Sequence, residues 1–245
     1  MFSGIVGIYF REVNILKMRL WRSFAQALVS PALFLVAFGY GLGHGRVVGG
    51  QDYPSFLFAG LLAMATLNTS YAINAEIAIA RFHYKIFDEY LIAPVARWQI
   101  AIGEMLYGMT KALMPIAIFL VYALIADIDI SIGVAFIPVI LLHTAFFSLM
   151  GFSVALVVRH HADQFAINTF VIAPMTFLSG VFFPVSVAPK AVQVFVQLFP
   201  LTHSVALIRA TLTGATLPLN HLICFIVFFL AMLATSLLIA KRSAG

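Results

Sequence analysis

Six apolar stretches, each long enough to cross a bilayer, alternate with short polar islands along this chain. A helix rising 1.5 Å per residue needs about twenty apolar residues to cross roughly 30 Å of hydrocarbon. The stretches fall at 24–43, 55–79, 100–125, 132–157, 165–183 and 220–240. Inside lipid a helix closes its own backbone hydrogen bonds, which irregular chain cannot do. The pattern therefore predicts an all-α polytopic membrane protein with six transmembrane helices in one domain, 1–245. Composition agrees: 63% of residues are hydrophobic, against roughly 45–50% in a soluble domain.

Two other segments are neither span nor ordinary loop. In 4–22, Ile5, Ile8, Tyr9, Val13, Leu16 and Leu20 share one helical face, and Arg11, Asn14 and Lys17 lie opposite. That is an amphipathic helix expected at the membrane surface, with Glu12 intruding on its apolar side. The first long apolar run begins only after Arg22, so a cleavable signal peptide is not expected. Segment 184–218 is broken by Pro184, Pro189, Pro200 and Pro218. It is too interrupted to span and too apolar for an exposed loop, so short helices dipping into the outer leaflet are expected.

The net charge of +5 follows from loops rather than from a nucleic-acid surface. Arg11, Lys17, Arg19, Arg22, Arg81, Lys85, Arg97, Arg159, Lys241 and Arg242 fall on one side of the six spans. Arg46, Lys190 and Arg209 fall on the other, and Lys111 lies within the third span. Cytoplasmic loops concentrate Lys and Arg, so both termini are expected in the cytoplasm, as in a multi-pass protein of a bacterial inner membrane. The longest polar island, Arg81–Arg97, joins spans two and three on that basic side. Its residues Phe82, Ile86 and Tyr90 share one helical face, Arg81, Lys85, Asp88 and Glu89 another, and Pro94 ends the helix. So short an amphipathic helix needs a membrane surface or a protein groove to persist.

Catalytic chemistry is not apparent. Without a Gly-Lys dipeptide there is no phosphate-cradling loop. The glycines at 39, 41, 43 and 45 give GxxxG spacing twice, consistent with close helix approach or with a flexible span end. His160, His161 and Asp163 read better as a polar loop than as metal ligands, because adjacent helical residues diverge by about 100°. Lone Cys224 has no partner for an internal disulfide. Polar residues within spans carry more information, since a charge at the bilayer centre costs about 2.5–3.5 kcal/mol on insertion scales. Glu104 and Lys111 share a face of span three, too far apart to bond within it, and Glu76 in span two can meet either of them. Thr66, Ser70 and Asn74 form a stripe facing either a neighbouring helix or a polar passage. These six residues are the candidate translocation path. Pro115, Pro138 and Pro174 are candidate kinks.

Three stretches carry a family resemblance. They are Ser179-Gly180-Val181-Phe182-Phe183-Pro184 with Pro200-Leu201-Thr202-His203-Ser204 and Ile208-Arg209; Phe38-Gly39-Tyr40-Gly41-Leu42-Gly43; and Asp88-Glu89-Tyr90-Leu91-Ile92-Ala93-Pro94 followed by Gly103-Glu104. In this order they resemble the permeases of type-2 ABC exporters, in the branch of nodulation-protein J and the daunorubicin-resistance membrane subunits. The resemblance implies six spans, an N-terminal interfacial helix and a re-entrant helical pair before the last span. It implies a dimer, each copy served by a separate ATPase subunit that carries ATP and Mg, with no cofactor in this chain. It implies export of an amphiphile such as a lipo-oligosaccharide, a polysaccharide or a hydrophobic drug. The ATPase would be met through the island, with Arg81, Lys85, Asp88, Glu89, Tyr90 and Pro94 as coupling residues. Phe182, Phe183, Pro184, Pro200, His203 and Arg209 would form an outer gate. The rival expectation is a stand-alone ion- or proton-coupled transporter using Glu76, Glu104 and Lys111 as a relay.

Overall fold

The computed structural model describes residues 3–43, 45–48, 50–83, 95–128 and 130–242. Helix α1 (Ser3–Phe34) runs into a π-helical segment, Leu35–Leu42. A two-stranded hairpin, β1 (Val47–Val48) and β2 (Gln51–Asp52), leads to α2 (Tyr53–Tyr71) and α3 (Ile73–Phe82). Helices α4 (Arg97–Ile125) and α5 (Phe136–Val157) follow. A rod of α6 (His161–Ile167), a π segment (Asn168–Ile172) and α7 (Ala173–Leu178) precedes a 3-10 turn, Val185–Val187. Helices α8 (Lys190–Val196), α9 (Pro200–Leu212) and α10 (Leu219–Arg242) complete the chain.

The protein is an all-α polytopic membrane protein. Among the described residues, four helical units are long and apolar enough to cross a membrane: Tyr53–Phe82, α4, α5 and α10. Two bent pairs raise the number to six. One is α1, which bends by 69° between Gly4–Trp21 and Ser23–Gly39. The other is α8 with α9, bent by 89°. Pro200 opens α9, where its missing N–H costs nothing. The α6–α7 rod is less apolar because His161, Asp163, Gln164 and Asn168 occupy its first half.

Three boundaries differ from the sequence expectation, each for a reason visible in the contacts. The fourth span was expected from 132, but α5 starts at Phe136. The amides of Ser131 and Gly133 instead donate to the carbonyls of Leu212 and Thr211, holding this loop against the end of α9. The fifth was expected over 165–183, but the rod covers 161–178. Asp163 starts it early, and Gly180, at φ +81°, turns the chain out of the helix. The second span breaks at Ala72, where the side-chain amide of Asn74 donates to the Tyr71 carbonyl at 2.7 Å. Of the three candidate kink prolines, Pro138 lies in the first turn of α5 and leaves that helix unbroken.

The α2–α3 rod and α5 form the centre of the bundle, 83% and 78% buried over their apolar windows, whereas α10 is 11% buried and faces outward. Close packing rather than water exclusion holds helices together in lipid. One core joins Phe58, Phe119, Phe147, Val181 and Leu201. A second, at the basic end, joins Ile8, Leu16, Ile77, Tyr107 and Phe152. At Gly60 a Cβ would collide with the Val181 carbonyl, so only glycine lets the 179–183 turn cross α2. The apolar face of the surface helix packs partly on protein: Ile8 sits against Gly103 of α4, and the hydroxyls of Tyr9 and Thr110 are 3.0 Å apart.

Candidate functional site

At the basic end, arginines anchor both ends of the α3–α4 connection. The Arg81 Nη1 donates to the carbonyls of Ala155, Leu156 and Val158, at 3.2, 2.9 and 3.0 Å. The last carbonyls of a helix lack intrahelical donors and carry the negative end of its dipole, so a guanidinium satisfies both. At the start of α4, Arg97 donates to the carbonyl of Lys241 at the end of α10. The end of α3 is therefore tied to α5 and the start of α4 to α10. Lys85, Asp88, Glu89, Tyr90 and Pro94 lie outside the described residues. Nearby, Asp163 accepts from the amides of Arg159 and His160 at 3.0 and 3.1 Å, which holds its carboxyl below the usual carboxylate range.

Just inside this end lies a charged cluster. Lys111 Nζ is 2.6 Å from Glu76 Oε1, and the Tyr107 hydroxyl donates to Glu76 Oε2 at 2.8 Å. Of the two partners that sequence offers Glu76, the structure selects Lys111. Glu104, one turn before Tyr107, is 2% exposed, and its Oε2 has no hydrogen-bond donor among the described residues. On α1, Glu12 is buried and pairs with Arg11 at 2.8 Å. Burial pushes the Glu12 carboxyl up, and Arg11 opposes that shift. Tyr107 escaped the sequence reading, although the spacing 104, 107, 111 puts it on the face of Glu104 and Lys111.

The Thr66–Ser70–Asn74 stripe is buried inside the chain and bonds mainly to backbone carbonyls of its own helices. Thr66 also meets His143 Nε2 of α5 at 3.1 Å, and Asn74 accepts from Gln164 of α6. Tyr71 donates to Asn168 at 2.9 Å. The stripe thus sits apart from the charged cluster and ties α2 and α3 to α5 and the α6–α7 rod.

At the opposite end, Arg209 of α9 donates to the Gly180 carbonyl at 2.9 Å and to the Phe56 carbonyl at 3.3 Å, its guanidinium 3.8 Å above the Phe56 ring. Phe182 packs among Phe34, Phe38 and Phe177, with ring centroids 5.4–5.6 Å away. Its carbonyl accepts from Tyr53 at 2.9 Å. Phe183 packs on the edge of this core and Pro184 leads into the 3-10 turn. His203 Nε2 faces the Gln197 carbonyl at 2.9 Å, and its Nδ1 faces His221 Nδ1 at 3.0 Å. A carbonyl only accepts, so in the neutral pair His203 carries its proton on Nε2 and His221 donates from Nδ1. Arg209 and Phe182 thus meet at the 180–182 turn, whereas His203, near the start of α9, packs against α10 through His221 and Phe228.

Residues 7–213 match the family described as ABC-2 type transporter. The chain belongs to that family. It is similar to Nodulation protein J of Rhizobium leguminosarum bv. viciae, 31% identical over 204 residues, 79% of this chain and 78% of the relative. Nodulation protein J of Bradyrhizobium diazoefficiens is 34% identical over 77% of this chain and 75% of its own length. The Inner membrane transport permease YadH of Escherichia coli K12 is 26% identical over 92% of this chain and 91% of the relative. The family is one of transport permeases. Its match runs through every cluster described above except the end of α10 and His221, which lie beyond residue 213.

Proposed function

We propose that this chain is the membrane half of an ATP-driven exporter, moving an amphiphile such as a glycolipid or hydrophobic drug outward across the inner membrane. With α6–α7 as the fifth span and α8–α9 as the re-entrant pair, an even number of spans returns both termini to the cytoplasm. Two copies would work with two copies of a separate ATPase, which binds ATP and Mg. The single observation carrying this reading is the double anchorage of the α3–α4 connection. Arg81 and Arg97 tie its flanking helices to the ends of α5 and α10, so a partner that displaced the connection would move four helices together. Nucleotide binding would favour one of two states and the helices would follow, with the Arg209–Phe182 region opening as the outer gate. The test is reconstitution in liposomes with and without a separately purified ATPase subunit of the same transporter class. ATP-dependent efflux of a lipid-linked saccharide or amphiphilic dye, absent without the ATPase, is the expected result. Efflux by the lone chain driven by a proton gradient overturns the proposal in favour of a secondary transporter working through Glu76, Glu104 and Lys111.

A further inference from the structure

A half-open cavity of about 330 Å³ lies where α1, α3 and α4 meet at the basic end. That volume falls in the range of roughly 300–1,000 Å³ typical of small-molecule sites. Its floor is acidic: Glu12, Glu76 and Glu104 reach it from three helices. Two of these carboxylates are matched within the protein, Glu12 by Arg11 and Glu76 by Lys111. Glu104, almost wholly buried, closes the wall with an oxygen that has no donor among the described residues. A buried acceptor without a donor costs about 1–3 kcal/mol, so an N–H-bearing cation would be held there. The rim has a different chemistry. Arg19 lines it and is exposed, and beside it Met18 and Ile79 present apolar surface outward, Met18 at 80% exposure.

We infer that this cavity binds the headgroup of a zwitterionic aminophospholipid from the leaflet on which the N-terminal helix lies. Its primary ammonium bonds to Glu104, its phosphate faces Arg19, and its acyl chains leave past Met18 and Ile79. The order is that of the lipid itself: acidic depth, basic rim, apolar exit. A quaternary ammonium has no N–H to offer Glu104, and a glycerol headgroup has no positive charge. A choline lipid and a glycerol lipid are therefore discriminated against.

The experiment is native mass spectrometry of the full chain, released from detergent carrying equimolar phosphatidylethanolamine, phosphatidylcholine and phosphatidylglycerol. The expected result is retention of phosphatidylethanolamine in preference to the other two by about tenfold, one charge-assisted hydrogen bond's worth of discrimination. Glu104→Gln removes that preference, while Arg19→Gln weakens retention of all three lipids. The headgroup comparison on the unmodified chain needs no variant, so misfolding of Glu104→Gln does not rescue the idea. Equal retention of the three lipids overturns it, and so does an undiminished preference in correctly folded Glu104→Gln. Soluble phosphoethanolamine is the competing source of the same chemistry. Failure to displace the lipid at millimolar concentration supports a membrane ligand, and full displacement reassigns the cavity to a soluble amine. The assay needs neither ATP nor transport, so its failure leaves the exporter reading intact.

Discussion

The Glu76–Lys111 pair predicts an asymmetry between two single substitutions. The Lys111 side chain is 8% exposed and that of Glu76 is 32% exposed. Removing one partner of a buried pair costs about 3–5 kcal/mol, because the other charge is stranded. Glu76→Gln strands the more buried group and belongs near that range, about 3 kcal/mol. Lys111→Met strands a carboxylate that is one-third exposed and keeps the Tyr107 hydroxyl as a donor. Water and Tyr107 relieve it, so the expected cost is about 1–2 kcal/mol, between the buried and surface limits. The double substitution removes both charges and should be less damaging than the sum of the singles, by a coupling of about 1–3 kcal/mol. The assay is reversible unfolding of the full chain in mixed micelles, read for the four proteins of the cycle. A Lys111→Met cost equal to or above that of Glu76→Gln, or a coupling below about 0.5 kcal/mol, refutes the argument from exposure.

Three further outcomes follow from neighbouring contacts. Arg81→Gln should uncouple transport from ATP hydrolysis while leaving co-purification with the ATPase intact, because it frees the end of α5 without altering residues 85–94; unchanged efflux per ATP contradicts this. Gly60→Ala should lower stability by about 1–3 kcal/mol, since the new methyl must displace the Val181 carbonyl or α2 itself; an unchanged unfolding midpoint shows that the turn yields freely. Asp163, whose carboxyl is held below its usual value of 3.8, supports the start of α6 fully above that pH and loses this support as pH falls through its lower folded value. Hydrogen exchange at the first amides of α6 should therefore speed up, relative to intrinsic rates, only in acid below about pH 4. Asp163→Asn should abolish the acid-dependent step.

What the chain revealed before folding depended on how local each constraint is. Lipid imposes helices, so the apolar runs showed where they lie to within a few residues. The misplaced end at 132 belongs to a contact with a distant residue, Leu212, and that at 183 to the left-handed turn at Gly180. Charge spacing likewise showed that Glu76 can meet a charge on another helix. It did not choose between Glu104 and Lys111, because that choice depends on how α3 and α4 are rotated against each other. Arg81 was grouped with the charges of the island it opens. Its acceptors are carbonyls at 155–158, and backbone acceptors leave no trace in a side-chain pattern.

The break at Ala72 connects these observations. A continuous helix from Tyr53 to Phe82 would transmit any tilt of its basic end directly to Phe56 and Gly60, which hold Arg209 and the 179–183 turn. The structure instead divides the rod just inside the charged cluster. Above the break, α2 is locked by Thr66 to α5 and by Tyr71 to Asn168. Below it, α3 carries Glu76 toward Lys111 and Arg81 toward the end of α5. The interruption at Ala72 is thus a point of give, where motion of α3 can remake the ion pair with less disturbance of the far end. To reach Arg209 it must pass through α5, or through Asn74 to Gln164 and the α6–α7 rod, whose far end is the turn bearing Gly180. On the second route the Asn74–Gln164 bond is joined by the Phe82 ring of α3, which packs against His161 of α6 at 5.9 Å. Asn74→Ala should therefore leave the Glu76–Lys111 coupling energy intact while weakening the response of the 179–183 turn to nucleotide. A spin label at Val185 reports that response in the reconstituted complex. An undiminished response in Asn74→Ala would leave α5 or the Phe82–His161 contact as the path.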